Sequence, residues 1–473
     1  MRHRRRIERW TVVLGAFSAL LITEPARANG ALPAVSQLLA DPDAPDHLYL
    51  RSTFGLLVTR DQGATWDFLC EEGMGYRDVE PPMAILPGGT ILLALPEGVS
   101  RSDPSGCDFS RADGIGETVV DLARVPSEPK SAVAVSLSGA VSTLWASTDE
   151  GRSFAAVGKP IDGLIATTVD VATTDADRIY LSGLDGTQGV LLRSGDRGET
   201  FKSFPVPNTT TGRRPYIAAV DATDEDTVYV RLVGVQGELQ VTRDGGKSFE
   251  TLLDTTLAVK GFAVSPDGST VLASNDFDGT FRASTSDYAF ERISCGGHAC
   301  LSWSDAGLFG CGDDMVDGYI VGRSEDDGTS FTRLLAMPCV RGPLECDPST
   351  SIGAACPAAW TTVSAQLGVS ECESRASRAQ PAPYTGCFAE GGSGDTTGGP
   401  SGGSGGSGGT NSAGRSSFAP EAGPGLPTKP GCDCRAGNAS PARAAGWLAF
   451  STAWLARRQR RARSRTGTVE TGR

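Results

Sequence analysis

Five aspartates recur at matching places in this 473-residue chain: Asp61, Asp149, Asp196, Asp244 and Asp326. Paired carboxylates run glycoside hydrolysis, so acids at regular intervals invite that chemistry. Their neighbours point elsewhere. Each lies in the pattern Ser/Thr-x-Asp-x-Gly-x-Ser/Thr-aromatic, first as Thr59-Arg60-Asp61-Gln62-Gly63-Ala64-Thr65-Trp66. The remaining copies run through Gly151 to Phe154, Gly198 to Phe201, Gly246 to Phe249 and Gly328 to Phe331. A carboxylate in such a turn accepts hydrogen bonds from backbone N–H groups of its own loop. Glycine supplies the positive φ that other residues resist. The aromatic side chain opens the next strand and packs between units, where burial is worth about 1.5–3 kcal/mol. These five acids are therefore read as structural, and no residue of the chain is assigned a catalytic role.

Other candidate chemistry is thin. Acidic turns at Asp41–Asp46, Asp175–Asp177, Asp221–Asp226 and Asn275–Gly279 offer oxygen ligands, but none has EF-hand spacing. The first three precede equivalent strands, so turn chemistry accounts for them. No cofactor or metal is expected, calcium being the one ion those oxygens would suit. Three histidines are too few for a multi-histidine metal site. His47 and His298 read as turn residues, with no nucleophile elbow to serve.

Twelve cysteines accompany them, ten between Cys70 and Cys387, and no Cys-x-x-Cys pair occurs among these ten. Disulfides are expected rather than zinc. Cys70 follows the first turn and Cys107 lies in the second, which makes a bond between adjacent units plausible. Cys295, Cys300 and Cys311 belong to the last two units. Cys339, Cys346, Cys356, Cys372 and Cys387 mark a cystine-rich extension. The pairing of these eight is open. Within the extension, Pro357–Leu367 is expected to form a short helix with Trp360, Val363 and Leu367 on one face.

The elements that position these residues follow from their period. Two decayed turns, Ser102–Phe109 and Ser284–Phe290, fill the gaps between the five, so the aromatic anchors fall at 66, 109, 154, 201, 249, 290 and 331. Steps of 41 to 48 residues indicate one unit repeated seven times. Strands precede each turn, as in Gly55-Leu56-Leu57-Val58, Gly189-Val190-Leu191-Leu192 and Leu239-Gln240-Val241. Earlier ones appear in Leu48-Tyr49-Leu50, Ile179-Tyr180-Leu181 and Val228-Tyr229-Val230, and earlier still in Ile217–Val220 and Gly261–Val264. Four short strands per unit is propeller spacing.

The turns resemble Asp-boxes, or BNR repeats, of the superfamily that includes sialidases, sortilin-type receptors, xyloglucan-cleaving glycosidases and photosystem-assembly factors. The resemblance spans residues 32–335 and implies a seven-bladed β-propeller with the boxes at the blade periphery and ligands at the central mouth. It does not imply one activity, because the fold hosts many. A sialidase would need an Arg-Ile-Pro segment and six blades. The nearest segment here is Arg213-Arg214-Pro215-Tyr216, and seven units are counted.

The two ends read as addresses. A basic stretch, Met1–Arg9, precedes the apolar run Trp10–Ile22 and an Ala-x-Ala site, giving a secretory signal over residues 1–28 cut after Ala28. Residues 391–409 hold eleven Gly in nineteen positions, and residues 391–430 are read as a disordered Gly/Ser/Pro stalk. Residues 431–473 carry Gly431-Cys432, an apolar segment Ala444–Ala456 and six Arg between Arg457 and Arg465. This tail resembles the MYXO-CTERM sorting domain of myxobacterial surface proteins. The resemblance implies processing near Gly431 and Cys432, a membrane helix, and retention at the cell surface or outer membrane.

Net charge is −13, from 43 basic and 56 acidic side chains. Residues 1–28 hold six Arg against two Glu and residues 435–473 nine Arg against one Glu, leaving −25 on residues 29–434. So acidic a body repels phosphate backbones, which disfavours nucleic acid as a partner. The fold expected is all-β: a seven-bladed propeller, a disulfide-rich extension over 336–390, the stalk and the tail. The function expected is that of a surface-attached, monomeric, non-catalytic scaffold binding a protein or glycan at the propeller mouth. A glycan-active enzyme and an assembly factor for a membrane complex are the alternatives.

Overall fold

The computed structural model describes residues 33–234 and 236–380. The signal segment with Ala28, Cys387, the stalk, Gly431, Cys432 and the apolar tail lie outside the described residues. Twenty-eight strands form seven antiparallel sheets, each of four consecutive strands. Blade 1 is β1 (Val35–Ala40), β2 (Leu48–Ser52), β3 (Gly55–Thr59) and β4 (Asp67–Leu69). Blade 2 is β5 (Met83–Leu86), β6 (Thr90–Leu95), β7 (Gly98–Ser102) and β8 (Phe109–Arg111). Blade 3 is β9 (Thr118–Arg124), β10 (Ala132–Ser138), β11 (Val141–Ser147) and β12 (Ala155–Asp162). Blade 4 is β13 (Leu164–Val171), β14 (Ile179–Asp185), β15 (Gln188–Arg193) and β16 (Lys202–Pro205). Blade 5 is β17 (Arg214–Val220), β18 (Val228–Val233), β19 (Gly237–Thr242) and β20 (Glu250–Thr255). Blade 6 is β21 (Gly261–Val264), β22 (Thr270–Asn275), β23 (Gly279–Ser284) and β24 (Glu291–Ser294). Blade 7 is β25 (Cys300–Ser304), β26 (Gly307–Cys311), β27 (Val321–Ser324) and β28 (Thr332–Leu335). The chain is thus a seven-bladed β-propeller.

Up-and-down strands give the ring two distinct faces. Loops between first and second strands share one face with the turns between third and fourth, which carry the repeated aspartates. Backbone bonds join the two kinds of loop, as in Gln62 N to Asp46 O at 3.0 Å and Arg197 N to Asp177 O at 3.1 Å. Loops between second and third strands, and the connections from blade to blade, occupy the opposite face. The middle strands are the most apolar and most buried, as in Thr90–Leu95, where all six residues are buried. Buried side chains meet between neighbouring blades, so each interface is a thin core of its own.

The first and last blades share one such core, which includes Leu38, Trp66, Phe309 and Val321. The chain then crosses that seam. Beyond Leu335, a 3-10 turn (Met337–Cys339) leads to β29 (Gly342–Pro343), which adds to blade 1 parallel to β4. Arg341 grips Asp67 with two bonds of 2.8 Å. Next come α1 (Ser351–Leu367) and α2 (Cys372–Ala376). The helix expected over Pro357–Leu367 starts six residues earlier. Thr350 caps it, accepting from Gly353 N at 3.2 Å, and Pro357 sits inside α1 rather than at its first turn. Trp360 lies on Phe68, ring centroids 5.5 Å apart, fixing α1 to blade 1.

Four disulfides are formed among these elements: Cys70–Cys356, Cys107–Cys346, Cys300–Cys311 and Cys339–Cys372. Cys295 is disulfide-bonded as well. The expected Cys70–Cys107 bond does not form. Cys70 ends β4 on one face of the ring, whereas Cys107 lies in an outer turn on the other, so each pairs instead with the extension laid along the outer strands.

Candidate functional site

The five aspartate turns share one geometry. In blade 4, Ser194 Oγ donates to Asp196 Oδ1 at 2.7 Å and accepts from Gly198 N at 2.8 Å. Asp196 accepts from Thr200 N and Thr200 Oγ1 at 2.9 and 2.6 Å. Asp61, Asp149, Asp244 and Asp326 make the same set. Burial pushes the Asp149 carboxyl upward, but bonds from Ser153 and Ser147 outweigh it and hold it at about 2. A group so acidic, with both oxygens folded into its own loop, cannot hold the proton that a general acid delivers near neutral pH.

The turn glycines also set the blade spacing. At Gly198 φ is +91°, and a Cβ there would sit 2.1 Å from Leu144 of the preceding blade. Gly63 meets Leu334 of blade 7 in the same way, at 2.4 Å, so the seam uses the contact found elsewhere in the ring. Trp66 and Phe154 are buried between blades, and Phe331 lies against His298 with centroids 4.2 Å apart. Phe201 and Phe249 pack, partly buried, on the cores toward the blade before them. In the decayed turn of blade 2, Asp103 stands in one residue early and accepts from Cys107 N at 2.9 Å and Asp108 N at 3.1 Å.

The acidic turns close on themselves too. Asp41 accepts from Asp43 N, Asp175 from Asp177 N, Asp221 from Thr223 N, and Asn275 from Phe277 N, all at 2.8–2.9 Å. Among the described residues no group of three His, Cys, Asp or Glu is arranged to hold a metal. His47 lies in the first of these turns. His298 is more than a turn residue: it is buried, Nδ1 3.1 Å from Thr280 Oγ1 and Nε2 3.1 Å from Tyr319 Oη. Burial pushes its imidazole down to about 4, so it is neutral at physiological pH.

The groups with unspent chemistry face the axis. The first strands of the blades ring a channel, and β1, β9, β13 and β17 each carry a bulge. A bulge re-aims the side chains beside it. Gln37, Asp121 and Thr168, each just after a bulge, reach the next blade's first strand: Gln37 Oε1 accepts from Met83 N at 3.3 Å, Asp121 Oδ2 from Val169 N at 2.9 Å, and Thr168 Oγ1 from Ile217 N at 3.0 Å. Burial lifts the Asp121 carboxyl to about 7, against the opposing pull of N–H bonds from Val169 and Leu122 and the charge of Arg51. Burial lifts Asp170 to about 6, opposed by bonds from Val171 and Val220 and by Arg124.

Two arginines stand at matching positions, in Leu48-Tyr49-Leu50-Arg51 of β2 and Val228-Tyr229-Val230-Arg231 of β18. Each braces the connection into the following blade. Arg51 Nη1 donates to Pro81 O at 3.0 Å, and Arg231 Nη1 to Val259 O and Lys260 O at 3.1 and 2.8 Å. Their Nη2 groups carry no hydrogen bond among the described residues, and Arg231 Nε is buried without one. The two guanidiniums feel each other, and both feel Asp121, which at neutral pH is only part-ionised. Arg51 feels Glu80 more strongly than Asp121, and Ser36 Oγ links the two, accepting from Arg51 Nε at 3.0 Å and donating to Glu80 Oε2 at 3.1 Å, so this part of the channel pairs two arginines with one neighbouring carboxylate. Two depressions elsewhere are shallow: about 360 Å³ beside Glu72, Gly75, Tyr76 and Arg77, and about 250 Å³ at the seam beside Asp46 and Arg323.

Sequence reasoning missed Arg51, Arg231, Asp121 and Asp170. Their one signal was a charge in strands whose neighbours are apolar, with the Leu/Val-Tyr-Leu/Val-Arg tetrapeptide occurring twice.

The family model described as Sortilin, neurotensin receptor 3 (Sortilin-Vps10) matches residues 142–290, the middle of the ring. No curated protein matches the chain. Among solved structures, an ancestral GH74 enzyme superposes with a TM-score of 0.50 at 13% identity, covering 64% of this chain and 46% of that one. The chain thus spans about half the length of that enzyme. YCF48 from Cyanidioschyzon merolae gives 0.43 at 15% identity, covering 61% and 95%, and the RRP9 WD40 repeats give 0.46 at 11%, covering 60% and 89%. Enzymes and WD40 propellers both stand among these neighbours. The likeness to the GH74 structure establishes the fold alone, a β-propeller, which the seven four-stranded sheets make seven-bladed.

Proposed function

We propose that the protein is exported, is held at the cell surface by its C-terminal tail, and binds an acidic group of a protein or glycan in its channel without turning it over. One observation carries the non-catalytic reading: Asp121 is already used as an inter-blade tie, accepting from Val169 N at 2.9 Å. The donors left over are the Nη2 groups of Arg51 and Arg231, whose Nη1 groups are held by backbone carbonyls, and such donors suit a carboxylate. In this reading the repeated turns are Asp-boxes with Asp61, Asp149, Asp196, Asp244 and Asp326 as structural residues. The chain ends act in targeting, with cleavage after Ala28 and processing at Gly431-Cys432. The match to the Sortilin-Vps10 model supports a receptor-like role over its 149 residues.

The test is binding of the mature protein to peptides with free or amidated C-termini and to uronate-bearing or neutral glycans. Ligands with the free carboxylate bind, and the Arg51→Ala/Arg231→Ala variant loses them. Equal binding of the amidated and neutral forms refutes the channel site. A second reading, a glycan-active enzyme, draws on Asp121 and Asp170, whose carboxyls near 7 and 6 lie where a general acid works. Release of reducing sugar by the mature protein, abolished by Asp121→Asn, would replace the first reading with this one.

A further inference from the structure

A carboxylate held by Arg51 and Arg231 shares the channel with Asp121, the acid that both guanidiniums feel. None of the three is free to swing away. Asp121 Oδ2 accepts from Val169 N at 2.9 Å across the blade boundary. Arg51 is tied to Pro81 O and Ser36 Oγ, both at 3.0 Å, and Arg231 to Val259 O and Lys260 O at 3.1 and 2.8 Å. An anion drawn to the arginines therefore arrives beside a fixed carboxyl group.

The charges around Asp121 decide what that closeness does. Beside Arg51 stand Glu80, linked to it through Ser36 Oγ, and Tyr76, whose phenol burial pushes up and keeps neutral. Glu71 faces Tyr76 from the same connection. Beside Arg231 stands Tyr216, its ring centroid 5.9 Å from the guanidinium carbon. From the next blade Asp170 faces Asp121, with Arg124 against it and Asp43 beyond Arg124. The strands β5, β6 and β10, packed on β9, carry no titratable side chain, and Arg101 of β7 is spent on Glu150 O at 2.7 Å. When Asp121 is ionised, the two channel arginines meet two carboxylates, Glu80 and Asp121, and the charges cancel. When it is protonated, one positive charge is left for a ligand. Two carboxylates side by side in one site do not both ionise without cost, so ligand and Asp121 compete for the same arginines.

We infer that an acidic ligand enters the channel together with a proton taken from solvent by Asp121, which makes this residue the link between ligand capture and pH. The inference rests on the channel reading above and adds the group that regulates it. A bound carboxylate raises the proton affinity of Asp121, so the complex keeps a proton that the free protein has released. Burial already lifts this carboxyl to about 7 in the free protein, which sets the coupling at neutral pH. Affinity is then level below about 7 and falls as pH rises beyond it. The ligand's own carboxylate titrates near 4, roughly three units lower, and stays ionised throughout.

The experiment is calorimetric titration of the mature protein with a synthetic peptide bearing a free C-terminal carboxylate, from pH 6 to 9, in two buffers of unlike ionisation enthalpy. The dissociation constant rises by about tenfold between pH 7 and pH 9, and the buffer difference at pH 8 reports net proton uptake on binding. Asp121→Asn binds with one affinity across the range and takes up no proton. Asp170→Asn keeps the pH dependence, and a melting midpoint at or above the parent's shows that each variant is folded. Carboxylate binding that stays level from pH 6 to 9, or a pH dependence that survives Asp121→Asn, overturns the inference and leaves the channel site standing. Equal binding of the amidated peptide, or no binding of either peptide at any pH, refutes the site and the inference together.

Discussion

Replacing Asp121 by Asn is predicted to make the protein more stable at pH 8 and to leave its stability at pH 4 unchanged. The carboxyl is lifted by burial from 3.8 to about 7, so the folded state keeps a proton that the unfolded state has released. Between those values each pH unit costs the fold up to about 1.4 kcal/mol. The loss begins as pH rises above 4, grows to neutrality and levels off beyond about 7. The full interval corresponds to about 4 kcal/mol, but the side chain is only part-buried beside a channel, and screening by water halves this to about 2 kcal/mol. Asn retains an oxygen for Val169 N, so the inter-blade bond survives. Guanidinium unfolding followed by tryptophan fluorescence at intervals from pH 4 to 8 gives the comparison, since Trp66 is fully buried at the seam. A variant no more stable than the parent at pH 8, or stabilised equally at pH 4, would refute the assignment of Asp121 as a carboxyl strained by its surroundings.

Further outcomes follow from the same contacts. Gly198→Ala forces a Cβ into Leu144 at a φ of +91° and destabilises by about 3 kcal/mol, whereas Gly195→Ala, with open space around it, is neutral in thermal melts. The Cys70–Cys356 and Cys107–Cys346 loops nest, with separations of 286 and 239 residues. With one bond present the other constrains only the 47-residue difference, so removing either pair costs about 4 kcal/mol in denaturant unfolding, and removing both costs more than twice that. His298 is neutral in the fold with its imidazole at about 4 but protonates near 6.5 when unfolded. Stability from this site is complete above 6.5 and drains by about 3 kcal/mol as pH falls to 4, a limb that His298→Gln flattens in acid titration of the melting midpoint.

The propeller was legible because its unit is local. A turn needs a hydroxyl, a carboxylate, a glycine and an aromatic residue within eight positions, and that requirement repeats at each copy that keeps its geometry. Even the decayed copy at Asp103 shows why the pattern blurs: the same N–H groups can be capped from one residue earlier. The channel was not legible for the opposite reason. Asp121 reaches Val169, and Arg51 reaches Pro81, across blade boundaries. Nothing in the residues near either one marks the partner, and the bulges that aim these side chains leave no composition signal. The start of α1 was misplaced because Pro357 suits a first turn, whereas Thr350 and the bond from Cys356 to blade 1 fix the helix earlier.

The extension that spans the seam has a consequence for how such a chain is made. Cys70 and Cys107 belong to the first two blades to emerge, yet their partners follow 286 and 239 residues later. During synthesis both thiols wait, and each is nearer in sequence to the other than to its proper mate. The mispairing that sequence reading suggests is also the one a half-made chain would meet first. An oxidase acting early would trap it, and the ring would then lack the segment that bridges blades 7, 1 and 2. Correct closure thus calls either for thiols that stay reduced until Cys346 and Cys356 have appeared or for disulfide exchange afterwards, which makes thiol timing a vulnerable step in its biogenesis.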